Sequence, residues 1–372
     1  MYSSSCRLAI YLRMIYDCGV DRVMINLCQG FIQHGLGVDL VLNTVEGNSN
    51  LLSQFPPEVR VVDLKAHHQS KSLSDVMRYL KEECPQALLA AGHYSTEMAV
   101  IAKQLTRVPT RVVVSEHSAI SKDAQSASWK ESKRWIPLAA RLTYPWADGV
   151  ITVSQGVAQD LAKVTGLSVK DIQVIYNPVL TSNLLDKVKQ PLDHPWFVPG
   201  EPPVILGVGR LEPQKDFANL IQAFARVRQI RPVRLMILGQ GGEESKLKHL
   251  IHQLQLDDDV KMPGFVQNPY AYMTRSAVFA LSSAWEGFGN VLVEAMAAGV
   301  PVVSTNCPSG PAEVLDNGRY GILVPVGDPE ALAAAILDAL AGDRRPVDAS
   351  WLDQFTVEAV TQKYLNILDI PK

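Results

Sequence analysis

Short apolar runs alternate with segments of helical period along both halves of the chain. In the first half CRLAIYL gives way to VDRVMINLCQGFIQHG, then VDLVLN, ALLAAG, STEMAVIAKQL, RVVVSEH and GVITVS. Continuous apolar runs between helical periods read as βαβ units on a parallel sheet. The helix beginning near Asp21 places Val23, Met24, Leu27 and Phe31 on one face and stops near Gly35, Leu36 and Gly37. The pattern then fails between Leu180 and Pro203, where Pro191, Pro195, Pro199, Pro202 and Pro203 forbid a continuous helix or central strand. A second series follows: VILGVGR, a helix from Asp216, VRLMILG, a helix from Glu243, VKMPGF, a helix near Tyr270, VFALSS, VLVEAMAAG, PVVST, YGILVP and a helix over DPEALAAAILDAL.

This alternation predicts an α/β chain of two doubly wound, Rossmann-like domains. The expected boundaries are 1–182, a linker at 183–201, a second domain at 202–350, and a C-terminal helix at 351–372 that packs back on the first domain. Ligand is expected at the C-terminal ends of the strands and in the cleft between the domains. The length of 372 residues agrees with two domains at ~100 to 200 residues each.

Composition narrows the partners. With 47% hydrophobic and 20% charged residues the chain can bury a core in each half, and a net charge of −3 gives no global field for nucleic acid. Cys6, Cys18, Cys28, Cys84 and Cys307 are scattered without a CxxC pair, which predicts reduced thiols, neither disulfide nor zinc, and a cytoplasmic location. No secretory leader and no run of eighteen apolar residues stands out, so membrane contact is expected to be peripheral at most.

The strongest chemical signal is AWEGFGNVLVEAMAAGVPVVST, where Glu286 follows a buried strand and Glu294 lies eight positions later. Asn290 as N-cap and Gly299 with Pro301 as stop predict a helix over residues 291–298. Phe288, Gly289, Asn290 and Val291 then stand at its positive end, a favourable place for phosphate. Gly287 and Gly289 would let a ligand approach the backbone. In VGRLEPQKDF, Arg210 leaves a strand and Lys215 opens the next helix, so two cations are available to neutralise a diphosphate leaving group. Gly239, with Gly241 and Gly242 in LGQGGEESKL, adds a backbone wall at the same sheet edge, or serves only a tight turn. The acidic run at 257–259 reads as a solvated turn rather than a metal site. His93 and Cys307 read as structural.

VGRLEPQKDF, LGQGGEESKL and above all EGFGNVLVE resemble the group 1 glycosyltransferases, family 4, of the GT-B fold. The resemblance is most specific over residues 208–326 and looser in the first half, where DCGVDRVMINLCQGFIQHGLGVDLV is similar to the family's opening loop and helix. It implies a retaining, metal-independent transfer from a nucleotide diphosphate sugar, by family frequency a UDP-sugar, with no cofactor beyond that substrate. Glu286 would contact donor-sugar hydroxyls, Glu294 the ribose, and Arg210 with Lys215 the pyrophosphate. His117 in VVVSEHSA matches the family's histidine near the donor sugar. Gly19 and Arg22 fall in the opening loop, which has a single glycine where family members often carry a pair. CPSGPAEVL is similar to a loop of bacterial enzymes that build surface or lipid-linked glycans, which implies a glycan or lipid-linked acceptor. A nucleotide-sugar epimerase of the same fold and a non-catalytic nucleotide-sugar-binding protein are the alternatives.

One stretch stands outside this set. SWKESKRWIPLAARLTYPWAD mixes Lys130, Lys133, Arg134 and Arg141 with Trp129, Trp135, Ile136, Leu138, Leu142, Tyr144 and Trp146. It reads equally as a membrane-interface segment at the inner leaflet and as a helix packing its apolar side on the first sheet.

Overall fold

The computed structural model describes residues 7–16, 18–46, 50–66, 69–126 and 131–370. Two compact units divide the chain, one from residues 1–179 with 354–372 and the other from residues 180–353. In the first unit seven strands run parallel: β1 (Arg7–Leu12), β2 (Gly37–Leu42), β3 (Arg60–Asp63), β4 (Ala87–Ala91), β5 (Arg111–Glu116), β6 (Gly149–Thr152) and β7 (Ile172–Val174). Their order is β3-β2-β1-β4-β5-β6-β7, so the winding reverses between β1 and β4. The register sets Ile10 opposite Leu40 on one side and Leu89 on the other.

The strand runs are apolar at nearly every position because helices cover both faces. Leu8, Ile10 and Leu12 bury on one side with Val23, Met24, Leu27 and Phe31, while Ala9 and Tyr11 bury on the other with Ala99, Val100 and Val112. The Gly19–Gln33 helix supplies the first group from the expected face.

The second unit carries six parallel strands: β8 (Val204–Val208), β9 (Arg234–Leu238), β10 (Val260–Gly264), β11 (Val278–Leu281), β12 (Val302–Thr305) and β13 (Ile322–Val324). Their order is β10-β9-β8-β11-β12-β13, with the reversal between β8 and β11. Leu206 faces Met236 and Phe279 across the ladder. The Phe217–Ile230 and Pro329–Ala341 helices close one side over Ile205, Leu235 and Val278.

The expected linker at 183–201 is instead part of the second unit. Its prolines limit helix to the short Leu184–Lys189 segment and a single 3-10 turn at Pro195–Phe197, but they do not prevent burial. Trp196 is 6% exposed, with the Arg234 guanidinium 5.0 Å and the Lys261 ammonium 4.7 Å from its ring centroid. Asn268 Nδ2 donates to the Lys187 carbonyl at 2.8 Å and ties the short helix down.

The C-terminal segment also divides differently from the expected single helix over 351–372. Trp351, in the Ala349–Leu352 turn, donates from Nε1 to the Val314 carbonyl at 3.0 Å and stays with the second unit. A new helix, Val357–Ile367, is capped by Thr356 and packs in the first unit beside the Gly19–Gln33 helix. The two backbones approach so closely that a Cβ on Gly30 would lie 2.0 Å from Thr361 Oγ1. Arg111 Nε donates to the Ile367 carbonyl at 2.8 Å and secures the far end.

Gly30→Ala sets two effects against each other. Alanine gains about 1 kcal/mol of helix propensity, while overpacking costs about 1–3 kcal/mol. A net loss of stability is expected by urea denaturation, and Thr361→Ala in the same chain should recover most of it. A stabilised single variant would show that the two helices leave room for a methyl group at Gly30.

Candidate functional site

The second sheet's reversal puts the loops after β8 and β11 side by side. They are stapled at several points. Ala284 N donates to the Gln214 carbonyl at 2.8 Å, Gln214 Nε2 to the Trp285 carbonyl at 2.9 Å, and Ser282 Oγ to the Lys215 carbonyl at 2.8 Å. Lys215 closes the set, its Nζ lying 2.5 Å from Glu286 Oε1. Ser283 Oγ donates to that same oxygen at 2.7 Å. Ser283 is itself fixed, because its carbonyl accepts from Thr305 Oγ1 at 2.6 Å.

Glu286 is 5% exposed. A carboxylate so far from water requires both a counter-charge and hydrogen bonds, and removing one partner of such a pair strands the other charge. Lys215 and Ser283 meet both needs. Beside them Cys307 is buried, and its thiol is pushed up to about 12 by burial, with the Glu286 charge adding to the shift.

Beyond Glu286 the chain passes Gly287 and the buried Phe288 to Gly289, whose φ of 88° caps the Asn290–Ala297 helix. The cap is therefore Gly289, and Asn290 is the first helical residue. The left-handed conformation at this corner suits glycine, which moves the boundary one residue from the expected 291–298. Gly310 presses on the same corner, since a Cβ there would lie 2.1 Å from the Phe288 carbonyl oxygen. Val291 and Glu294 follow within the helix, and Glu294 Oε1 accepts from Tyr270 OH at 3.1 Å.

Two other expected members follow closely on β8 and β9. Arg210 is more than half exposed and pairs with Glu212 at 2.8 Å. Gly239 has φ 140°, and a Cβ on it would lie 1.9 Å from the Gly209 carbonyl oxygen. Close packing of the β8 and β9 ends explains that glycine without a ligand. In the acidic run, Asp259 pairs with Arg228 at 2.7 Å and Asp257 lies 3.3 Å from His252 Nδ1.

In the first unit His117 immediately follows β5. Its Nε2 is 3.0 Å from Ser115 Oγ, which is in turn 3.3 Å from Tyr364 OH on the C-terminal helix. Burial lowers the His117 pKa to about 4, only partly opposed by Glu116, so the ring is neutral at pH 7. Gly19 and Arg22 occupy the first turn of the helix after β1, where Asp21 caps the entry by accepting from Cys18 N at 3.0 Å and Tyr16 N at 2.8 Å.

Glu116 is the residue that sequence reasoning missed. It is 1% exposed. Its Oε1 accepts from His117 N at 2.9 Å and Ser118 N at 3.1 Å, and its Oε2 accepts from Tyr144 OH at 2.8 Å. His93 Nδ1, at the start of the helix after β4, lies 3.0 Å from Oε2. Burial alone would raise the Glu116 pKa, but the His93 charge and hydrogen bond and the Tyr144 hydroxyl outweigh it and hold it at about 2. Burial alone would likewise lower His93, and Glu116 outweighs it and raises that pKa. A glutamate closing the buried run RVVVSE was the available signal, because such a carboxylate must find partners.

These shifts fix the signs of a pH dependence. The Glu116 contribution is present above its ordinary 4.5 and is lost as pH falls toward about 2. The His117 contribution is present above 6.5 and is lost as pH falls from there to about 4. The His93 contribution is present below 6.5 and is lost as pH rises through its raised value. In Glu116→Gln the His93 ring is expected to titrate at lower pH than in the parent by NMR. An unmoved titration would mean the pair does not form in solution.

Comparison with known proteins gives the site its context. Residues 189–350 match the family model Glycosyl transferases group 1, and residues 18–183 match Glycosyltransferase Family 4. An N-acetylgalactosamine-N,N'-diacetylbacillosaminyl-diphospho-undecaprenol 4-alpha-N-acetylgalactosaminyltransferase of Campylobacter jejuni is 34% identical over 203 residues, covering 55% of this chain and 53% of that protein. The lipopolysaccharide core biosynthesis glycosyltransferase LpsE of Rhizobium meliloti is 32% identical over 228 residues, covering 59% of this chain and 64% of that protein. These matches thus span only about half to two thirds of the relatives' own length. The crystal structure of Anabaena HepE in complex with UDP and glucose superposes with a TM-score of 0.77 at 22% identity, covering 98% of this chain and 99% of that one, and shows the shared fold. With its two halves matched in turn by the two family models, the chain belongs to the group 1, family 4 glycosyltransferases, and its two parallel-sheet units are those of the GT-B fold.

Proposed function

We propose that this chain is a retaining, metal-independent glycosyltransferase. It takes a hexose or N-acetylhexosamine from a nucleotide diphosphate sugar, a UDP-sugar, and transfers it to a glycan or lipid-linked acceptor in cell-surface polysaccharide biosynthesis. The reaction is assigned to the cytoplasm. The observation that carries this reading is the part-buried Lys215–Glu286 pair at the reversal of the second sheet, beside the N-terminal end of the Asn290–Ala297 helix.

Each part of the set has a task in such a transfer. The departing diphosphate gains charge, and Lys215, Arg210 and the positive helix end stabilise it without a metal. Arg210 must exchange Glu212 for the phosphate, which its exposure permits. Glu286 positions sugar hydroxyls. Its Oε1 already accepts from Lys215 and Ser283, which suits a positioning role better than attack on the anomeric carbon. Glu294 takes ribose hydroxyls, oriented by Tyr270. In the first unit the neutral His117 serves as a hydrogen-bonding contact to sugar. The acceptor oxygen bonds to the anomeric carbon on the face the diphosphate leaves, and its proton passes to the departing phosphate oxygen. The configuration is thereby kept.

The relatives support the acceptor class, since their names refer to an undecaprenol-linked substrate and to lipopolysaccharide core. Incubation with a panel of nucleotide sugars in the presence of a chelator tests the whole reading. Consumption of one UDP-sugar is expected, with the product anomer retained by NMR. Lys215→Ala should lower kcat by about 10²–10³, and Glu294→Ala should act mainly on donor binding. Release of an epimerised sugar without acceptor would replace the proposal with an epimerase, and failure to bind any donor would leave it without support.

A further inference from the structure

The stretch around the Ile136–Thr143 helix does not pack as an ordinary core helix. Only Ala140 and Thr143 of this helix are buried, joined by Tyr144 from the next turn. Ile136 packs partly against the same cluster, but the other bulky apolar side chains of the stretch are turned to the surface. Trp135 is 64% exposed, Leu138 55%, Leu142 61% and Trp146 53%. Their spacings of three, four and four residues put them on successive turns of one side. Leu105, 59% exposed, belongs to the same region, because its neighbour Gln104 donates from Nε2 to the Trp146 carbonyl. Trp129 and Lys130 lie outside the described residues, as does the side chain of Lys133.

Isolated exposed leucines are common, but five large apolar groups in one place are not. The charge around them has a consistent sign. Over residues 129–148 the sequence holds Lys130, Lys133, Arg134 and Arg141 against Glu131 and Asp148. Asp148 is already paired with Lys103 and accepts from Val112 N. Arg134 and Arg141 are exposed on the stripe itself, and Arg107 is exposed just beyond Leu105.

We infer that this face docks the first unit on the surface of an anionic phospholipid bilayer. Trp135 and Trp146 bracket a stripe of about 16 Å, taking ~1.5 Å per residue, with leucines between them. That order suits a segment lying in the plane of the interface, indoles at the headgroups and leucines below. The arginines meet the negative surface potential. A second copy of the chain is a poorer occupant, because a two-fold contact would set the same net-positive face against itself. The inference does not rest on the donor site or on any transfer activity.

Flotation of the full chain with phosphatidylcholine vesicles containing about a third phosphatidylglycerol tests it. The parent is expected to float with these vesicles, and to do so several-fold less with pure phosphatidylcholine or in about 0.5 M salt. Trp135→Ser with Leu142→Ser should reduce the bound fraction at least tenfold, and Arg134→Gln with Arg141→Gln several-fold. Ile230→Ser removes an equally exposed apolar group from the second unit and should float as the parent does. Thermal melts monitored by circular dichroism establish that the variants are folded. If the serine pair lowers the melt, the arginine pair alone decides. The inference is overturned if the parent does not float, if both stripe variants float unchanged, or if Ile230→Ser loses as much. It is overturned equally if the parent forms a concentration-dependent dimer that the serine pair abolishes while flotation is kept.

Discussion

Both halves of this molecule depend on the same arrangement, a buried carboxylate at or just after the end of one strand held by a basic side chain that follows the neighbouring strand. In the second unit Glu286 follows β11, and Lys215 reaches it from the loop after β8. In the first, Glu116 closes β5 and His93 reaches it from the helix after β4. Desolvation makes each carboxylate costly to leave alone, so each pair fixes two adjacent loops in one relative position. A replacement by well-packed apolar groups could be as stable, so the value of these pairs lies in positioning rather than in net stability.

The two pairs differ in what surrounds them. Glu116 is met by four residues, His117, Ser118, Tyr144 and His93, and these bonds hold the turn that carries the His117 ring. Glu286 is approached by Lys215 and Ser283 through one oxygen, and it lies next to glycines and a helix end. The first constellation is arranged as a support, and the second adjoins a surface where an anion is favoured.

The strands were legible because parallel strands covered on both faces show unbroken apolar runs, as RLAIYL and RLMIL do. The site was legible where local chemistry dictates it: a strand end, glycines, and a helix start in EGFGNVLVE. Tertiary contacts were not. Gly239 looks the same in sequence whether it admits a ligand or the Gly209 carbonyl. The proline-rich stretch before β8 advertises the absence of long helix, but nothing local reports that Trp196 is buried beneath Arg234 and Lys261. Glu116 was passed over because its partners His93 and Tyr144 are 23 and 28 residues away along the chain.

The Ile136–Thr143 helix shows the limit of periodicity most directly. Leu138 and Leu142 form as good an apolar stripe as Ala140, Thr143 and Tyr144, and a pattern alone gives no reason to choose which faces the sheet. The neighbouring helices decide. The Ile136–Thr143 helix packs on both the His93–Thr106 and Gln155–Thr165 helices, and Ala140, with Tyr144 just beyond it, joins Ala99, Ala102, Ala158 and Leu161 in one buried cluster. The small Ala140 fits this filled cluster, and a bulky leucine in its place would overpack it. The larger side chains are thus turned outward by packing. Once they are outward, their size, the tryptophans at either end and the arginines beside them become a property of the surface, with consequences for what the first unit can adhere to.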